Sequence, residues 1–93
     1  MNNQTEDYDA TKQRAEDISK LVIEKYSELK SAFYLDDHIT LMFSTGISVT
    51  IDFDVQWCRI HRKWVLQRGV DLSEYWFDAE ECSKVIINHL ALI

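Results

Sequence analysis

Residues 38–53 carry two runs of alternating apolar and polar side chains, and this pattern constrains the fold more than any other part of the chain. A period of two is typical of strands with one buried face. The apolar positions are Ile39, Leu41, Phe43, Ile47, Val49, Ile51 and Phe53. Because residues paired across antiparallel strands share a face, apolar positions must pair with apolar positions. A three-residue loop over 44–46 meets this condition by pairing Phe43 with Ile47, and Gly46 supplies the left-handed residue that such a loop needs.

A third strand follows this hairpin. A turn at Asp54–Trp57 that pairs Ile51 with Ile60 keeps the apolar positions of both strands on one face. On the other face, this register places Asp52 opposite Arg59. We therefore expect the charged residues of the two strands to neutralise each other partly across the sheet.

Two continuations of the third strand fit the pattern. It either runs unbroken to Leu66 or folds back at residues 61–63, with Ile60 opposite Trp64. Arg62 on an otherwise apolar face favours the second alternative. The predicted sheet accordingly has three or four strands.

A helix is predicted over residues 11–33, after a polar and frayed segment at residues 1–10. When successive residues are placed at 100° intervals around a helix axis, the apolar side chains of this segment fall on one stripe. It contains Ala15, Ile18, Leu21, Val22, Tyr26, Leu29, Ala32 and Phe33. This stripe predicts a helix that packs on the apolar face of the sheet.

A second helix is predicted to begin after Asp78. Asp78 is a good N-cap, Glu81 stands at the capping-box position, and Phe77 is placed to staple onto Cys82. The segment between sheet and helix, residues 70–77, is expected to be a loop or a short helical turn. The fold class predicted for residues 11–93 is a single α+β domain with two layers, an antiparallel sheet whose N-terminal and C-terminal helices pack on one face.

Composition supports an ordered protein of the cytoplasm. The 93 residues are 46 % hydrophobic and include no proline, which argues for regular structure. The acidic start has no cationic and apolar leader pattern, and the longest apolar stretch, Val85–Ile93, is too short for a membrane span. The two cysteines suit a reducing compartment.

Charge is arranged in blocks along the chain, with a net charge of −6. Residues 31–58 include four acidic residues and no Lys or Arg. Residues 59–70 include four Lys or Arg and no acidic residue, and residues 71–81 include five acidic residues and no Lys or Arg. The net charge favours a basic protein as partner and disfavours nucleic acid and membrane surfaces. A nucleic-acid-binding strand remains the alternative, and its candidate residues are Arg59, His61, Arg62, Lys63 and Arg68.

The soft metal ligands do not form a zinc pattern. Cys58 and His61 point to opposite faces of one strand, and Cys82 and His89 are two helical turns apart. No residue is placed to orient a Cys–His pair for catalysis. We therefore predict no catalytic residues, no metal and no cofactor.

The candidate partner-binding residues combine carboxylates with aromatic side chains. Three consecutive aromatics, 75–77, cannot all point into the core, so Tyr75 or Trp76 is expected at the surface, where Tyr and Trp anchor protein interfaces. The full candidate set is Asp36, Asp37, Asp52, Asp54, Trp57, Tyr75 and Trp76. The leading hypothesis is a non-enzymatic inhibitor or immunity-type protein, of the kind that phages and other mobile elements carry, occluding a basic partner; a homo-oligomeric structural or regulatory module is a further alternative.

Overall fold

The computed structural model describes residues 7–26 and 28–93. In chain order its elements are α1 (Tyr8–Lys25), β1 (Leu29–Tyr34), β2 (His38–Phe43), β3 (Ile47–Asp52), β4 (Trp57–Arg62), β5 (Val65–Asp71), a 3-10 turn (Ser73–Tyr75) and α2 (Ala79–Leu90). The five strands form one antiparallel sheet in which each strand pairs with the next, so β1 and β5 are its edges. The predicted α+β class is confirmed, and the sheet contains one strand more than the larger predicted number.

The first helix begins three residues earlier than predicted. Asp7 is its N-cap, and the Asp7 carboxylate accepts a hydrogen bond from the amide of Ala10 at 2.8 Å. Residues 8–10, which we expected to be frayed, are therefore helical. The rest of that segment, residues 1–6, lies outside the described residues.

The prediction that the helix continues to residue 33 is wrong, because residues 29–34 form β1 along the edge of β2. The register of β1 shifts between Leu29 and Ser31. This irregularity places Leu29 and Ala32 on the same face although they are three residues apart, a spacing that mimics a helical stripe. Pairing with β2 satisfies the backbone groups that β2 would otherwise leave open at its edge.

The hairpin of β2 and β3 has the predicted register and loop. Ile39 pairs with Ile51 and Leu41 with Val49. Gly46 has a φ of +88°, and its amide donates to the carbonyl of Phe43 at 3.1 Å. The three-residue loop is therefore confirmed.

The predicted register between β3 and β4 is wrong by two residues. Ile51 pairs with Cys58 and not with Ile60. The turn occupies residues 53–56, and Gln56 takes a left-handed conformation with a φ of +58°. A shift of two residues leaves the alternation of faces unchanged, so the same side chains remain buried.

The chain folds back after β4, in agreement with the second alternative. The turn consists of Lys63 and Trp64, both with positive φ (+48° and +72°), and it lies further along the chain than predicted. Ile60 consequently pairs with Arg68 rather than with Trp64, next to an irregularity in the register.

The start of α2 is confirmed, but the contacts around it differ from the prediction. The Asp78 carboxylate accepts a hydrogen bond from the amide of Glu81 at 3.2 Å. The amide of Asp78 donates to the carbonyl of Tyr75, so Glu81 does not complete a capping box. The expected staple by Phe77 is wrong, because this ring is 61 % exposed and lies 5.3 Å from the Arg14 guanidinium.

Both helices cover the same face of the sheet and contact each other. The core contains side chains of α1, the four strands β2–β5, the 3-10 segment and α2. They are Ala15, Ile18, Val22, Ile39, Leu41, Phe43, Ile47, Val49, Ile51, Phe53, Cys58, Ile60, Val70, Leu72, Trp76, Cys82, Ile86 and Leu90. The opposite face of the sheet, which we call the open face, has no helix over it in the described chain. No helix among the described residues has the length and apolar character of a membrane span.

Candidate functional site

Antiparallel pairing collects acidic side chains at one end of the sheet. The β1–β2 turn, the β3–β4 turn and the last residue of β5 meet there, as the pairs His38–Asp52, Asp52–Trp57 and Trp57–Asp71 show. The carboxylates at this end, which we call the acidic end, are Asp36, Asp37, Asp52, Asp54 and Asp71. The structure thus brings the four candidate aspartates together and adds Asp71, which was not among the predicted site residues.

A cleft of about 230 Å³ opens at the acidic end. The Tyr8 hydroxyl donates to the carbonyl of Asp36 at 2.9 Å, and the Tyr8 ring meets the Phe53 ring edge-on, with centroids 6.0 Å apart. Asp37 and Asp54 also line the cleft. Through Tyr8, the first turn of α1 thereby contacts both the β1–β2 turn and the β3–β4 turn.

Two of these carboxylates contact a basic side chain. Asp37 Oδ1 lies 2.6 Å from His38 Nδ1, and Asp52 Oδ2 lies 3.6 Å from Arg59 Nη1. Arg59 reaches Asp52 diagonally, since its direct partner on β3 is Thr50. Within residues 7–26 and 28–93, no ion pair involves Asp36 or Asp54.

Asp71 is held ionised by local hydrogen bonds. The hydroxyl and the backbone amide of Ser73 donate to its Oδ1 at 2.7 and 2.9 Å. These two bonds lower the pKa of Asp71 below its ordinary value of 3.8. Asp71 therefore carries a full negative charge beside its strand partner Trp57 at neutral pH.

An apolar groove lies on the open face next to these carboxylates. A Cβ at Gly69 would stand 3.2 Å from Cζ3 of Trp57, so the indole packs across a strand position that has no side chain. Trp57 remains 40 % exposed, and the groove of about 440 Å³ also includes Val55, Arg59 and Leu66. This apolar recess on the open face is called the Trp57 groove below.

Trp76, one of the two residues considered for exposure, is buried. Its side chain is 0 % exposed and belongs to the core, while Tyr75 is half-buried against it. The 3-10 turn before α2 directs Trp76 inward together with Leu72. The spacing of Leu72, Trp76 and Ala79, four and three residues apart, is a helical signal that predicts this burial. Of the three candidate aromatics, only Trp57 is well exposed.

The candidate nucleic-acid residues do not form one stripe. Arg59 and His61 lie on the open face, and Arg59 is next to Asp52. Arg68 pairs with the buried Ile60 and so lies on the opposite face. Arg62 and Lys63 lie at the end of the sheet remote from the acidic end, next to the exposed Trp64, which was not among the predicted site residues either.

Both cysteines are buried and free. Burial, together with proximity to Cys82, raises the pKa of Cys58 to about 12. Burial likewise raises the pKa of Cys82 to about 11, and its thiol donates to the carbonyl of Tyr75 at 3.1 Å. The two thiols are therefore protonated at neutral pH and fill space in the core. Within the part of the chain that the structure describes, no three His, Cys, Asp or Glu side chains cluster as metal ligands would.

Comparison of the chain with protein-family models, with curated protein sequences and with solved structures finds no significant match. The surface of the molecule is therefore the basis for its proposed function.

Proposed function

We propose that this chain is a non-enzymatic protein-binding domain that docks a basic segment of another protein in the Trp57 groove. The observation that carries the proposal is the packing of Trp57 over Gly69, which leaves an aromatic face open to solvent beside the acidic end. Exposed tryptophans in recesses are frequent anchors of protein interfaces.

The chemistry of the partner follows from the charges around the groove. Asp71 and Asp52 flank Trp57 in the strand ladder, and Asp54 belongs to the adjoining turn. The guanidinium of Arg59 nearby already has Asp52 as a carboxylate neighbour, and the His38 ring already contacts Asp37. A segment that presents an apolar side chain to the groove and Lys or Arg to the carboxylates is complementary to this surface.

The mechanism is occlusion of the partner's own basic site. The carboxylates accelerate association by electrostatic steering, and burial of the indole supplies the anchoring contact. An inhibitor or immunity-type role in the cytoplasm, as in phage and mobile-element proteins, fits this mechanism. In that compartment, the two buried thiols would stay reduced.

Selection from a random peptide library displayed on phage tests the proposal, because it lets the groove itself choose the sequences that it binds. We expect the selected peptides to be enriched in Lys and Arg next to an apolar residue. Affinities are then measured by titration calorimetry for the wild type, for Trp57→Ala and for the matched surface control Trp64→Ala. Trp57→Ala is expected to weaken binding about tenfold or more, since loss of a well-packed aromatic anchor costs at least about 1.4 kcal/mol, whereas Trp64→Ala leaves the affinity unchanged.

Three outcomes would contradict the proposal. Selected peptides without basic residues contradict the charge argument, and equal affinities of the wild type and Trp57→Ala contradict the placement of the site. A single-stranded oligonucleotide that binds more tightly than every selected peptide would favour the nucleic-acid alternative instead.

A further inference from the structure

The start of the edge strand β5, together with the turn residue Trp64 before it, is apolar and exposed. Trp64, Val65 and Leu66 follow one another and are 79 %, 62 % and 56 % exposed. Edge strands present unpaired backbone groups, which proteins usually protect with proline, with charges or by shortening the strand. β5 has seven residues and no proline, and Arg68 is the one charged residue between Val65 and Asp71.

The two ends of β5 carry opposite charge. Arg62 ends β4 and Lys63 belongs to the two-residue turn that leads into β5, while Asp71 ends β5. No ion pair involves either of these two bases within residues 7–26 and 28–93. The charge changes sign along the strand direction, from the Lys63–Trp64 turn to the acidic end.

This polarity makes the edge complementary to itself in one orientation. If two copies of β5 pair antiparallel about a two-fold axis, the basic start of each strand lies beside the acidic finish of the other. Parallel pairing would instead bring like charges together. Antiparallel pairing also removes exposed apolar side chains of both copies from water.

We propose that a second copy of this chain pairs antiparallel with β5, so that the two five-stranded sheets become one continuous sheet. The pairing satisfies the open backbone groups of both edges, and the charges select its orientation. It goes beyond the proposed function and does not depend on it: the interface is the edge of the sheet and the Trp57 groove opens on its face, with Leu66 and Asp71 bordering both surfaces.

The opposite edge, β1, is less suited to this pairing. Like β5, β1 has one irregularity in its register, between Leu29 and Ser31, so the two edges differ in their charges and not in their regularity. Glu28 immediately precedes β1, and its negative charge offsets the positive charge of Lys30 at this end of the sheet. β1 therefore provides the matched control edge.

A charge-swap experiment tests the proposal on the intact chain. Sedimentation equilibrium is expected to show a dimer of the wild type at high micromolar concentration. Lys63→Glu and Asp71→Lys are each expected to weaken self-association about tenfold or more. Each variant brings residues 63 and 71 of like charge together at both ends of the two-fold interface. An equimolar mixture of the two variants is expected to recover the wild-type affinity, since both contacts then join opposite charges.

Two controls keep the test decisive. Phe33→Lys, on the exposed part of β1, is expected to leave the dimer intact. Circular dichroism checks that Asp71→Lys folds, and Glu74→Lys replaces it if it does not. A wild type that stays monomeric at high micromolar concentration overturns the proposal. A dimer that neither charge reversal weakens, or a mixture that fails to associate, overturns it equally.

Discussion

The indole of Trp57 lies across Gly69 on the neighbouring strand, with Cζ3 only 3.2 Å from the position that a Cβ at residue 69 would occupy. Residue 69 does not need glycine for its backbone conformation, because the one glycine with positive φ in the described chain is Gly46. A side chain at position 69 would therefore disturb the close approach of the Trp57 indole.

Gly69→Val is expected to displace the indole and to close the Trp57 groove. Because valine suits a strand, the free energy of unfolding should change by less than about 1 kcal/mol. The affinity for a selected basic peptide should fall about tenfold, as expected for loss of an anchoring pocket. Ser31→Val, on the open face of β1, is the matched control and should leave the peptide affinity unchanged; equal affinities of all three proteins would show that the groove is not the site.

Trp76→Ala and Trp64→Ala should differ sharply in stability. Trp76 is fully buried, so its truncation should lower the free energy of unfolding by about 3–5 kcal/mol. Trp64 is at an exposed hairpin tip, and its truncation should cost no more than about 0.5 kcal/mol. Urea denaturation followed by far-ultraviolet circular dichroism measures both values, and a similar loss for the two variants would contradict the burial of Trp76.

Ser73→Ala should destabilise the protein more at neutral pH than in acid. Hydrogen bonds from Ser73 lower the pKa of Asp71 in the folded state, so their stabilisation is present above the unfolded value of 3.8. It is lost as the pH falls through the lowered folded value, where Asp71 becomes protonated. Denaturation of both proteins at pH 7 and pH 2 measures this difference, and an equal loss at both pH values would show that the hydroxyl does not act through the ionised carboxylate.

The two thiols should react only after the chain unfolds. With folded pKa values of about 12 for Cys58 and about 11 for Cys82, almost no thiolate exists at pH 8. A disulfide reagent such as Ellman's reagent should label both cysteines rapidly in denaturant and neither in buffer. A raised thiol pKa stabilises the fold below the ordinary value of 9.0, and this stabilisation is lost as the pH rises towards 12. Rapid labelling of one cysteine in the folded protein would contradict its burial.

The binding residues were only partly predictable, because exposure is a property of the packed molecule. Asp36, Asp37, Asp52 and Asp54 are brought to one end of the sheet by turns whose existence the sequence indicates. Asp71 and Leu66 join the surface only because β5 forms and folds back beside β4. Trp76 is not part of this surface, because a single 3-10 turn directs its side chain into the core.

The sequence by itself determined the elements whose signals are local. The alternation around Gly46 set both the register and the loop of the first hairpin, and Asp78 set the start of α2, because each depends on residues a few positions apart. Tertiary structure decided what depends on distant partners. Residues 29–34 are a strand because the edge of β2 offers hydrogen bonds. The sequence left the register between β3 and β4 undetermined, because a shift of two residues buries the same side chains.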